Sequence, residues 1–334
     1  MGHRYAGMEG LVSAWRGRCA YVTGATGLLG GWLVGELLQR GANVVALIRD
    51  DVPSSYLRSE GHERRCVTVR GSVEDLSLVR RVLAEYGVDT IFHLAAQTQV
   101  GAAHEAPYAA LETNVRGTYT LLEAARLGTA QVRAVVVASS DKAYGEQASL
   151  PYTEEMPLLG SNLYDASKAA AEVLARAYAR AYELPIVVAR CANLFGGGDL
   201  NWARLIPGTI RAVLQGKRPV IRSDGLMIRD YLYVRDAAMA FVRLAEEAST
   251  VTGEAFNFGL ERPLTVLEVV EKIGEVTGTR IDPEIRSEAR GEIQRQYLSA
   301  ARARERFGWR PLVGLEDGLR ETVAWYRSYF GRGA

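Results

Sequence analysis

The chain alternates short apolar runs with longer amphipathic stretches, and this alternation limits its fold more than any other feature. The apolar runs are rich in valine, isoleucine and alanine, and glycines or polar residues separate them from the stretches that follow. Strands that are apolar throughout are typical of a parallel sheet covered by helices on both faces. The sequence therefore predicts an α/β protein with a doubly wound, parallel sheet of the Rossmann type.

The same pattern places the elements and the domain boundaries. We predict strands at 18–25, 43–49, 66–71, 89–96, 133–140 and 185–190, with a late strand at 255–259 that returns to the main sheet. Helices are predicted at 30–41, 74–87, 107–128, 162–183 and near 203–215. A glycine-rich stretch interrupts this rhythm after residue 190. We therefore expect one domain over 16–190, with returning segments near 231–262, and a smaller lobe formed by 191–230 and 263–334.

The composition argues against several classes of function. Lysine and arginine total 40 against 39 acidic residues, so no basic excess indicates a nucleic-acid partner. No apolar run reaches the ~18 residues that a membrane span needs, and the first residues lack the apolar stretch of a secretory signal. The four histidines show no paired spacing that would indicate a metal site. We expect a soluble, cytoplasmic protein without nucleic-acid, membrane or metal partners.

The segment "TGATGLLG" joins the first predicted strand to the first predicted helix. It places Gly24, Gly27 and Gly30 at a G-x-x-G-x-x-G spacing. Glycines permit a tight turn and let backbone N–H groups approach a pyrophosphate, whose charge the helix N-terminus favours. A merely tight turn does not explain three glycines in this place. The segment therefore predicts that the domain over 16–190 binds a dinucleotide and that the smaller lobe binds the substrate.

Two adjacent residues bear on the choice of dinucleotide. Asp50 follows Gly30 by about 20 residues, where an acidic residue often holds the ribose hydroxyls of NAD. Arg49 stands directly before it, and an arginine here is suited to the 2′-phosphate of NADP. NAD is the expected cofactor, and these two residues leave NADP open.

A tyrosine and a lysine on the helix predicted at 162–183 indicate proton transfer. Tyr164 and Lys168 lie four residues apart, so both side chains are expected on the same face. An ammonium group beside a phenol favours the phenolate, which lowers the tyrosine pKa toward that of a useful base. Ser140, at the end of a predicted strand, is placed to hydrogen-bond the hydroxyl that Tyr164 deprotonates. An ordinary helix face is the alternative for the pair taken alone.

Together with "HLAA" (93–96) and "NVRGT" (114–118), these motifs resemble the extended short-chain dehydrogenase/reductases, the NAD-dependent epimerase/dehydratase family. The resemblance covers nearly the whole chain from Arg16 to about Tyr329. It implies a hydride transfer between nicotinamide and a sugar carbon while the tyrosine takes the hydroxyl proton. It also implies that the cofactor contacts Tyr164 and Lys168 and the residues Gly24, Thr26, Gly27, Leu28, Leu29, Gly30, Arg49, Asp50, Ser72, Val73, Leu94, Ala95 and Ala96.

The heptapeptide "SSDKAYG" (139–145) separates two branches of that family. Sugar 4-epimerases carry small hydroxyl residues after the catalytic serine or threonine, whereas nucleotide-sugar 4,6-dehydratases carry an acid and then a second proton-transfer group. Here Asp141 and Lys142 follow Ser140. A dehydratase must protonate the departing C6 hydroxyl and remove the C5 proton. We expect Asp141 to supply the first proton and Lys142 to accept the second, with a salt bridge or a phosphate contact as the alternative for Lys142.

Several stretches are similar to CDP-glucose 4,6-dehydratases in particular. They are "WRGRCAYVTGATGLLGGWL" (15–33), "SDKAY" (140–144), "YDASKAAAE" (164–172) and "ARCANLFGGGDLNWARLIP" (189–207). The resemblance implies that Asn193 and Arg204 contact the nucleotide diphosphate, that Arg229 contacts a phosphate and that Gln97 contacts the substrate. Two features depart from that pattern. "GLMIRDYLYVRDAA" (225–238) is similar to dTDP-glucose dehydratases and epimerases, and Ser72 replaces the aspartate usual beside adenine.

The predicted function is thus the conversion of a nucleotide-diphosphate hexose similar to CDP-glucose to its 4-keto-6-deoxy derivative. A 4-epimerase is the nearest alternative, because it needs only Ser140, Tyr164 and Lys168. GDP-mannose dehydratases resemble the chain too, although their second group is usually a glutamate. A non-catalytic nucleotide-binding protein is a further alternative. The family resemblance also implies a homodimer through the helices at 107–127 and 164–183.

Overall fold

The computed structural model describes residues 14–98, 100–128, 131–288 and 292–331. Packing divides the chain into two units. The first unit comprises the residues up to Ser139 together with Ala170–Ala189 and Ala238–Ala255. The second unit comprises Ser140–Ala169, Arg190–Ala237 and the residues from Phe256 onward. Both units are therefore assembled from segments that are distant in sequence.

The strands follow one another along the chain as the alternating pattern predicts. They are β1 (Cys19–Thr23), β2 (Asn43–Ile48), β3 (Val67–Arg70), β4 (Thr90–His93), β5 (Ala134–Ser140), β6 (Ile186–Cys191), β7 (Asn193–Phe195), β8 (Val220–Ile221), β9 (Ile228–Arg229), β10 (Tyr231–Tyr233), β11 (Ala255–Phe258), β12 (Leu264–Thr265), β13 (Glu284–Ile285) and β14 (Arg295–Gln296).

Seven of these strands form one sheet in the order β11-β6-β5-β4-β1-β2-β3. The pairs β1–β2, β1–β4, β2–β3 and β4–β5 are parallel. The prediction of a doubly wound parallel sheet is confirmed, and so is the return of the late strand, which lies at the sheet edge beside β6. The smaller sheets pair β10 with β7, β13 with β8, and β9 with both β12 and β14.

Helices separate the strands along the chain, and those of the first unit pack apolar residues against the main sheet. They are α1 (Leu28–Gln39), α2 (Tyr56–Ser59), α3 (Leu76–Glu85), α4 (Val100–Glu105), α5 (Pro107–Leu111), α6 (Gly117–Leu127), α7 (Leu163–Tyr182), α8 (Leu205–Leu214), α9 (Val234–Glu247), α10 (Val266–Thr277), α11 (Ala301–Phe307) and α12 (Leu315–Gly331). Short 3-10 helices span His62–Arg65 and Asp141–Tyr144. Within the described residues, none of the helices is both long and apolar enough to cross a membrane.

The helix predicted at 107–128 is divided into three parts. Helix α5 ends at Leu111, the backbone widens into a π-helical turn over Glu112–Arg116, and α6 begins at Gly117. The wide turn contains Asn114. Its side-chain amide is hydrogen-bonded to the backbone of Gln97 in the loop after β4. The spacing of apolar residues does not reveal such a turn, because the helices before and after it, α5 and α6, both bury apolar residues.

The core of the first unit lies between the sheet and its helices. Tyr21, Val45, Ile91, Val135 and Val188 are strand residues of this core, and each is at most 1% exposed. Burying a large aliphatic side chain contributes about 1.5–3 kcal/mol each, so this layer holds the strand ends in a fixed register. The loops that follow the strands are therefore attached to a rigid base.

Candidate active site

The glycine-rich turn after β1 is closed by its own backbone. The amide of Gly27 donates to the carbonyl of Gly24 at 3.0 Å, and Gly27 is the residue before the first turn of α1. A Cβ at Gly30 would lie 2.1 Å from the Gly24 oxygen, and one at Gly24 would lie 2.8 Å from the backbone of Leu94 and Ala95. Gly24 also has a φ of +70°, which favours glycine. This turn has no room for side chains at Gly24 or Gly30.

A chain of buried hydroxyl and imidazole groups fixes the loop after β4. Thr23 Oγ1 accepts hydrogen bonds from the amides of Leu94 and Ala95, both at 3.1 Å. His93 lies between two threonines, with Nδ1 2.9 Å from Thr23 Oγ1 and Nε2 2.9 Å from Thr118 Oγ1. Residues of the "HLAA" and "NVRGT" motifs thus form a hydrogen-bond network that positions the loop after β4, which the sequence analysis did not predict. A hydroxyl residue at the end of β1 was the only signal for it.

Gln97 follows this loop and is held by its backbone. Its amide donates to Asn114 Oδ1 at 2.7 Å, and its carbonyl accepts from Asn114 Nδ2 at 3.2 Å. These two bonds join the wide helical turn around Asn114 to the loop after β4. They leave the Gln97 side chain outside the contact, half-buried in the first unit.

The remaining predicted cofactor residues of the first unit differ in exposure. Arg49 and Asp50 pair with each other at 2.7 Å on the surface, where their side chains are 53% and 64% exposed. Val73 is a core residue against Gly117, at which a Cβ would lie 2.6 Å from the valine. The others are half-buried, namely Thr26, Leu28, Leu29, Ser72 and Ala96. This ion pair leaves the choice between NAD and NADP open at these two residues.

The five predicted catalytic residues all lie in the second unit. Ser140 is the last residue of β5, and Asp141 begins the 3-10 helix that follows. Ser140 Oγ donates to Asp141 Oδ1 at 3.0 Å and accepts from the amide of Lys142 at 3.2 Å. The hydroxyl therefore caps this short helix and joins its first carboxyl.

Asp141 is a buried carboxyl group with free hydrogen-bonding capacity. Its side chain belongs to a residue only 1% exposed, and its Oδ2 finds no partner among the described residues. Burial raises its pKa, while the Lys142 ammonium, the Ser140 hydroxyl and the Arg229 guanidinium oppose that rise. A carboxyl with a raised pKa keeps its proton more readily, as a general acid requires.

Tyr164 and Lys168 lie on α7 and are each 7% exposed. Burial raises the pKa of Tyr164 to about 12, although Arg204 and the hydrogen bond with Ser140 lower it. The expectation of a lowered tyrosine pKa is therefore wrong for this structure, because desolvation outweighs the nearby positive charge. Burial also lowers the pKa of Lys168 to about 8, which Cys191 opposes.

A second buried acid, Asp165, stands directly after Tyr164. It is 1% exposed, and its Oδ2 accepts from Asn162 Nδ2 at 2.7 Å while Oδ1 has no partner among the described residues. Burial raises its pKa to about 6; Lys142 lowers it and Asp141 raises it further. Two acids thus interact around one lysine. The sequence analysis did not predict this interaction, because a residue next to the tyrosine on a helix is expected to point elsewhere.

A buried polar network holds the turn that carries Asp141 and Lys142. Arg190, 1% exposed, donates to Tyr144 Oη at 2.5 Å and lies over the tyrosine ring. Tyr144 in turn donates to Asn257 Oδ1 at 2.8 Å. Tyr152 donates to the carbonyl of Gly145 at 2.7 Å. The C-terminal end of the "SSDKAYG" segment is therefore fixed by residues other than those that carry its charges.

The three predicted phosphate-contacting residues of the second unit are also placed. Arg204 Nη1 pairs with Asp199 Oδ2 at 3.1 Å, just before α8. Arg229 is buried and reaches Glu292 at 3.4 Å, with a hydrogen bond to the Ile228 carbonyl at 2.9 Å. Asn193 donates through Nδ2 to the carbonyl of Asp230 at 3.3 Å. Both guanidinium groups thus already face a carboxylate.

The sequence profile of the "NAD dependent epimerase/dehydratase family" matches residues 20–259. This chain belongs to that family. The match spans the glycine turn and every predicted catalytic residue. The expectation of a nicotinamide cofactor is confirmed at this level, because the family is NAD dependent.

Both branches of the epimerase/dehydratase family are represented among similar proteins. A UDP-glucose 4-epimerase of Mycolicibacterium smegmatis is 36% identical over 313 residues, covering 92% of this chain and 98% of that protein. A dTDP-glucose 4,6-dehydratase of Neisseria gonorrhoeae is 33% identical over 329 residues, covering 91% and 94%. The activity of this family member is therefore narrowed to nucleotide-sugar dehydration or epimerisation. The similarity to CDP-glucose enzymes is not confirmed by these relatives.

Solved structures of the same two classes share the fold. A UDP-glucose 4-epimerase of Thermotoga maritima, solved with UDP-glucose, superimposes with a TM-score of 0.85 at 29% identity, covering 93% of this chain and 99% of that one. A dTDP-glucose 4,6-dehydratase of Streptomyces venezuelae, solved with NAD, gives 0.84 at 30%, covering 94% and 98%. Neither branch is favoured by overall shape, so the distinction depends on individual side chains.

The glycine turn of this family member fits a dinucleotide. Close packing at Gly24 and Gly30 brings backbone and not side chains to the start of α1, whose first turn carries no acidic residue. Free backbone N–H groups at a helix N-terminus attract a pyrophosphate. The turn therefore offers N–H groups and positive potential without a competing carboxylate.

Proposed function

We propose that the chain is a nucleotide-sugar 4,6-dehydratase that converts a nucleoside-diphosphate hexose to the 4-keto-6-deoxy sugar and water. The observation that carries the proposal is the buried Asp141, whose raised pKa suits an acid and whose Oδ2 has no partner among the described residues. An epimerase transfers no proton to C6 and has no use for such a group. Burying a carboxyl without a full set of hydrogen bonds costs free energy, which favours a chemical reason for it.

We assign oxidation at C4 to the tyrosine cluster. NAD held at the glycine turn over 24–30 would supply the hydride chemistry at C4 and C6. Tyr164, through its phenol oxygen, takes the proton of the C4 hydroxyl, and Ser140 orients that hydroxyl. Arg204 and the contact with Ser140 lower the pKa of Tyr164 in part, although burial raises it to about 12. Lys168, with a pKa of about 8, adds an ammonium group at neutral pH.

We assign the elimination of water to the two residues after Ser140. A ketone at C4 acidifies the C5 proton, which Lys142 accepts in our assignment. The C6–O bond breaks as Asp141 donates its proton, and the hydroxyl leaves as water. Lys142 then returns its proton to C5. Both residues lie next to each other on one short 3-10 helix, which suits action on neighbouring carbons.

We assign the substrate's diphosphate to Arg204, Arg229 and Asn193, and a sugar contact to Gln97. Planar guanidinium groups bind phosphate oxygens through paired hydrogen bonds, which suits the two arginines. Each arginine is oriented by a carboxylate, Asp199 in one case and Glu292 in the other. CDP-glucose is the first substrate to test because of the "SDK" and "GGGDLNW" segments.

We also propose a homodimer through α5, α6 and α7. Large apolar side chains on these helices are exposed, with Tyr108 at 75%, Val173 at 59% and Tyr182 at 49%. Pairing the same helices of two copies would cover them. Light scattering on the purified protein measures this directly, and a monomer at micromolar concentration would contradict it.

A 4-epimerase is the second candidate. The relative from Mycolicibacterium smegmatis carries that name at 36% identity. Ser140, Tyr164 and Lys168 would be sufficient for oxidation and reduction at C4. In that case Asp141 and Lys142 would have no proton to transfer, and their replacement would change the rate little.

Mass spectrometry of the protein with CDP-, dTDP-, UDP- and GDP-glucose separates the two candidates. Loss of one water from a single nucleotide sugar, without consumption of added NAD, is the expected result and names the base. Unchanged mass with a new stereoisomer would make the chain an epimerase. The Asp141→Asn variant should lose dehydration by about 10²- to 10⁴-fold.

Two further measurements test whether the Asp141→Asn substitution affects only the elimination of water. A nucleotide 6-deoxy sugar has no C6 hydroxyl, so its C4 oxidation, followed as NADH absorbance, should survive in Asp141→Asn. Asp236→Asn is the control, because Asp236 is also a buried acid of the second unit but accepts from the amides of Leu312 and Val313. It should retain dehydration at the wild-type rate.

A further inference from the structure

The loop between β7 and α8 carries Arg204, which the proposed function assigns to the substrate's diphosphate. Arg204 is the residue directly before the first turn of α8, and its side chain is 38% exposed. Its Nη1 donates to Asp199 Oδ2 at 3.1 Å. A long, partly exposed side chain can adopt many rotamers, whereas paired hydrogen bonds to a phosphate require one direction of the guanidinium plane. The direction of Arg204 therefore depends on how firmly Asp199 is held.

Asp199 is held through its backbone as well as its side chain. The residue is 4% exposed, and its Oδ1 accepts from the amide of Asn201 at 3.1 Å. Its carbonyl oxygen accepts from Tyr326 Oη at 2.5 Å. Tyr326 lies on α12 and is fully buried. The bond from Asn201 is local to the loop, whereas the bond from Tyr326 ties Asp199 to a long helix.

Helix α12 also packs against the loop before and after Asp199. A Cβ at Gly197 would lie 2.5 Å from the ring of Trp325. The Trp202 ring has its centre 5.6 Å from that of Tyr326. Aromatic packing therefore places the loop as a whole, and the Tyr326 hydroxyl adds a directed bond at Asp199 itself.

We propose that Tyr326 is a positioning residue for the substrate's diphosphate, acting on Arg204 through Asp199, an inference that rests on the proposed function. The Tyr326 hydroxyl holds the Asp199 carbonyl, and the Asp199 carboxylate directs the guanidinium plane before the substrate binds. Pre-organisation of this kind reduces the rotamer freedom that Arg204 loses on binding. The role is the same in a dehydratase and in an epimerase, because it concerns the diphosphate and not the reacting sugar carbons.

Tyr326→Phe tests this role, because it removes the hydroxyl and keeps the ring that packs on Trp202. Calorimetric titration of the wild type with CDP, dTDP, UDP and GDP identifies the diphosphate that binds most tightly. Tyr326→Phe should raise the Kd of that diphosphate about fivefold, the scale of one hydrogen bond. The KM for the nucleotide sugar should rise by the same factor while kcat stays within about twofold of the wild type, because the diphosphate takes no part in the chemistry.

A double-mutant cycle with Arg204→Ala shows whether the effect passes through the arginine. Arg204→Ala should raise the Kd of the diphosphate about tenfold or more, and adding Tyr326→Phe should change it no further. Tyr329→Phe is the matched control. The Tyr329 ring lies 6.4 Å from that of Trp202, and within the described residues its hydroxyl makes no hydrogen bond. This control should bind the diphosphate as the wild type does.

Other results would overturn this role of Tyr326. Wild-type affinity in Tyr326→Phe would show that the hydroxyl does not direct the arginine. A further fivefold loss in the Arg204→Ala background would show that Tyr326 acts on another part of the site. An equal loss in Tyr329→Phe would assign the effect to the packing of α12. A wild type that binds none of the four diphosphates would instead overturn the proposed function, and this role with it.

Discussion

The glycine turn of the first unit and the serine turn of the second unit are built in opposite ways. Around the glycine turn the polar side chains Thr23, His93 and Thr118 are joined to one another or to backbone amides. Around the serine turn, Asp141 and Asp165 are buried with one oxygen each that has no partner among the described residues. The first turn positions backbone groups, and the second confines charges.

This difference separates two kinds of site, one that binds through backbone groups and one that transfers protons through buried acids. A backbone site is complete once the chain folds, because its N–H groups need no ionisation and little rearrangement. A site made of buried acids is electrostatically unfavourable in the folded protein, and the same burial gives the groups pKa values useful for proton transfer. Substitutions should therefore affect stability in opposite directions at the two turns.

The largest expected effect comes from replacing Tyr164, the proposed base for the C4 hydroxyl proton. Tyr164→Phe removes the phenol oxygen and should lower kcat by about 10³-fold, within the range of general base catalysis. The melting temperature should stay near that of the wild type, because the ring remains buried. Steady-state assays and thermal unfolding measure the two quantities. A loss of less than about tenfold would show that another group takes the C4 hydroxyl proton.

A substitution at the second acid should stabilise the protein. Asp165 has a pKa of about 6 when folded against about 3.9 when unfolded, so the folded state holds the proton more tightly. Stability is lost as the pH rises from about 4 to 6 and stays lower above that range. Asp165→Asn removes this loss and should gain about 2–3 kcal/mol at pH 7.5 and little at pH 4.

Urea denaturation at both pH values measures that difference. Asp51 gives a control of opposite sign, because a hydrogen bond from Arg58 lowers its pKa. Asp51→Asn should be neutral or slightly destabilising at pH 7.5. An Asp165→Asn protein less stable than the wild type at pH 7.5 would mean that its interaction with Lys142 outweighs the cost of burial.

The glycine turn should respond to an added methyl group by losing stability and binding together. Gly30→Ala places a Cβ 2.1 Å from the Gly24 oxygen, and such overpacking costs about 1–3 kcal/mol. NAD affinity should fall at least about tenfold because the amides of the turn move. Gly314→Ala is the control, since a Cβ there meets nothing within 4 Å. Fluorescence titration with NADH would contradict the prediction if both variants bound alike.

The smallest expected effect concerns the exposed ion pair between Arg49 and Asp50 in the first unit. Asp50→Ser removes one partner of an exposed ion pair that is worth about 1 kcal/mol or less. Arg49 then becomes available to a 2′-phosphate, so NADPH binding should improve about tenfold relative to NADH. Arg49→Ala should shift the ratio the other way. Equal ratios in both variants would show that neither residue reads the ribose.

The fold and part of the site could be predicted because they depend on local patterns. Apolar runs gave the strands of the main sheet, and three spaced glycines gave the turn before α1. The long-range contacts could not be predicted in this way. Nothing in the sequence pairs Arg190 with Tyr144 or places Asp165 beside Asp141 and Lys142, because those contacts depend on tertiary packing. The same limit explains Tyr164, whose raised pKa depends on burial.

The support of the serine turn has a consequence for how such enzymes change. Tyr144, Gly145 and Tyr152 anchor the segment, and none of these bonds involves the side chain at position 141 or 142. Mutation can therefore exchange the acid and the amine without rebuilding the loop that presents them. This makes the segment a practical starting point for engineering new sugar chemistry.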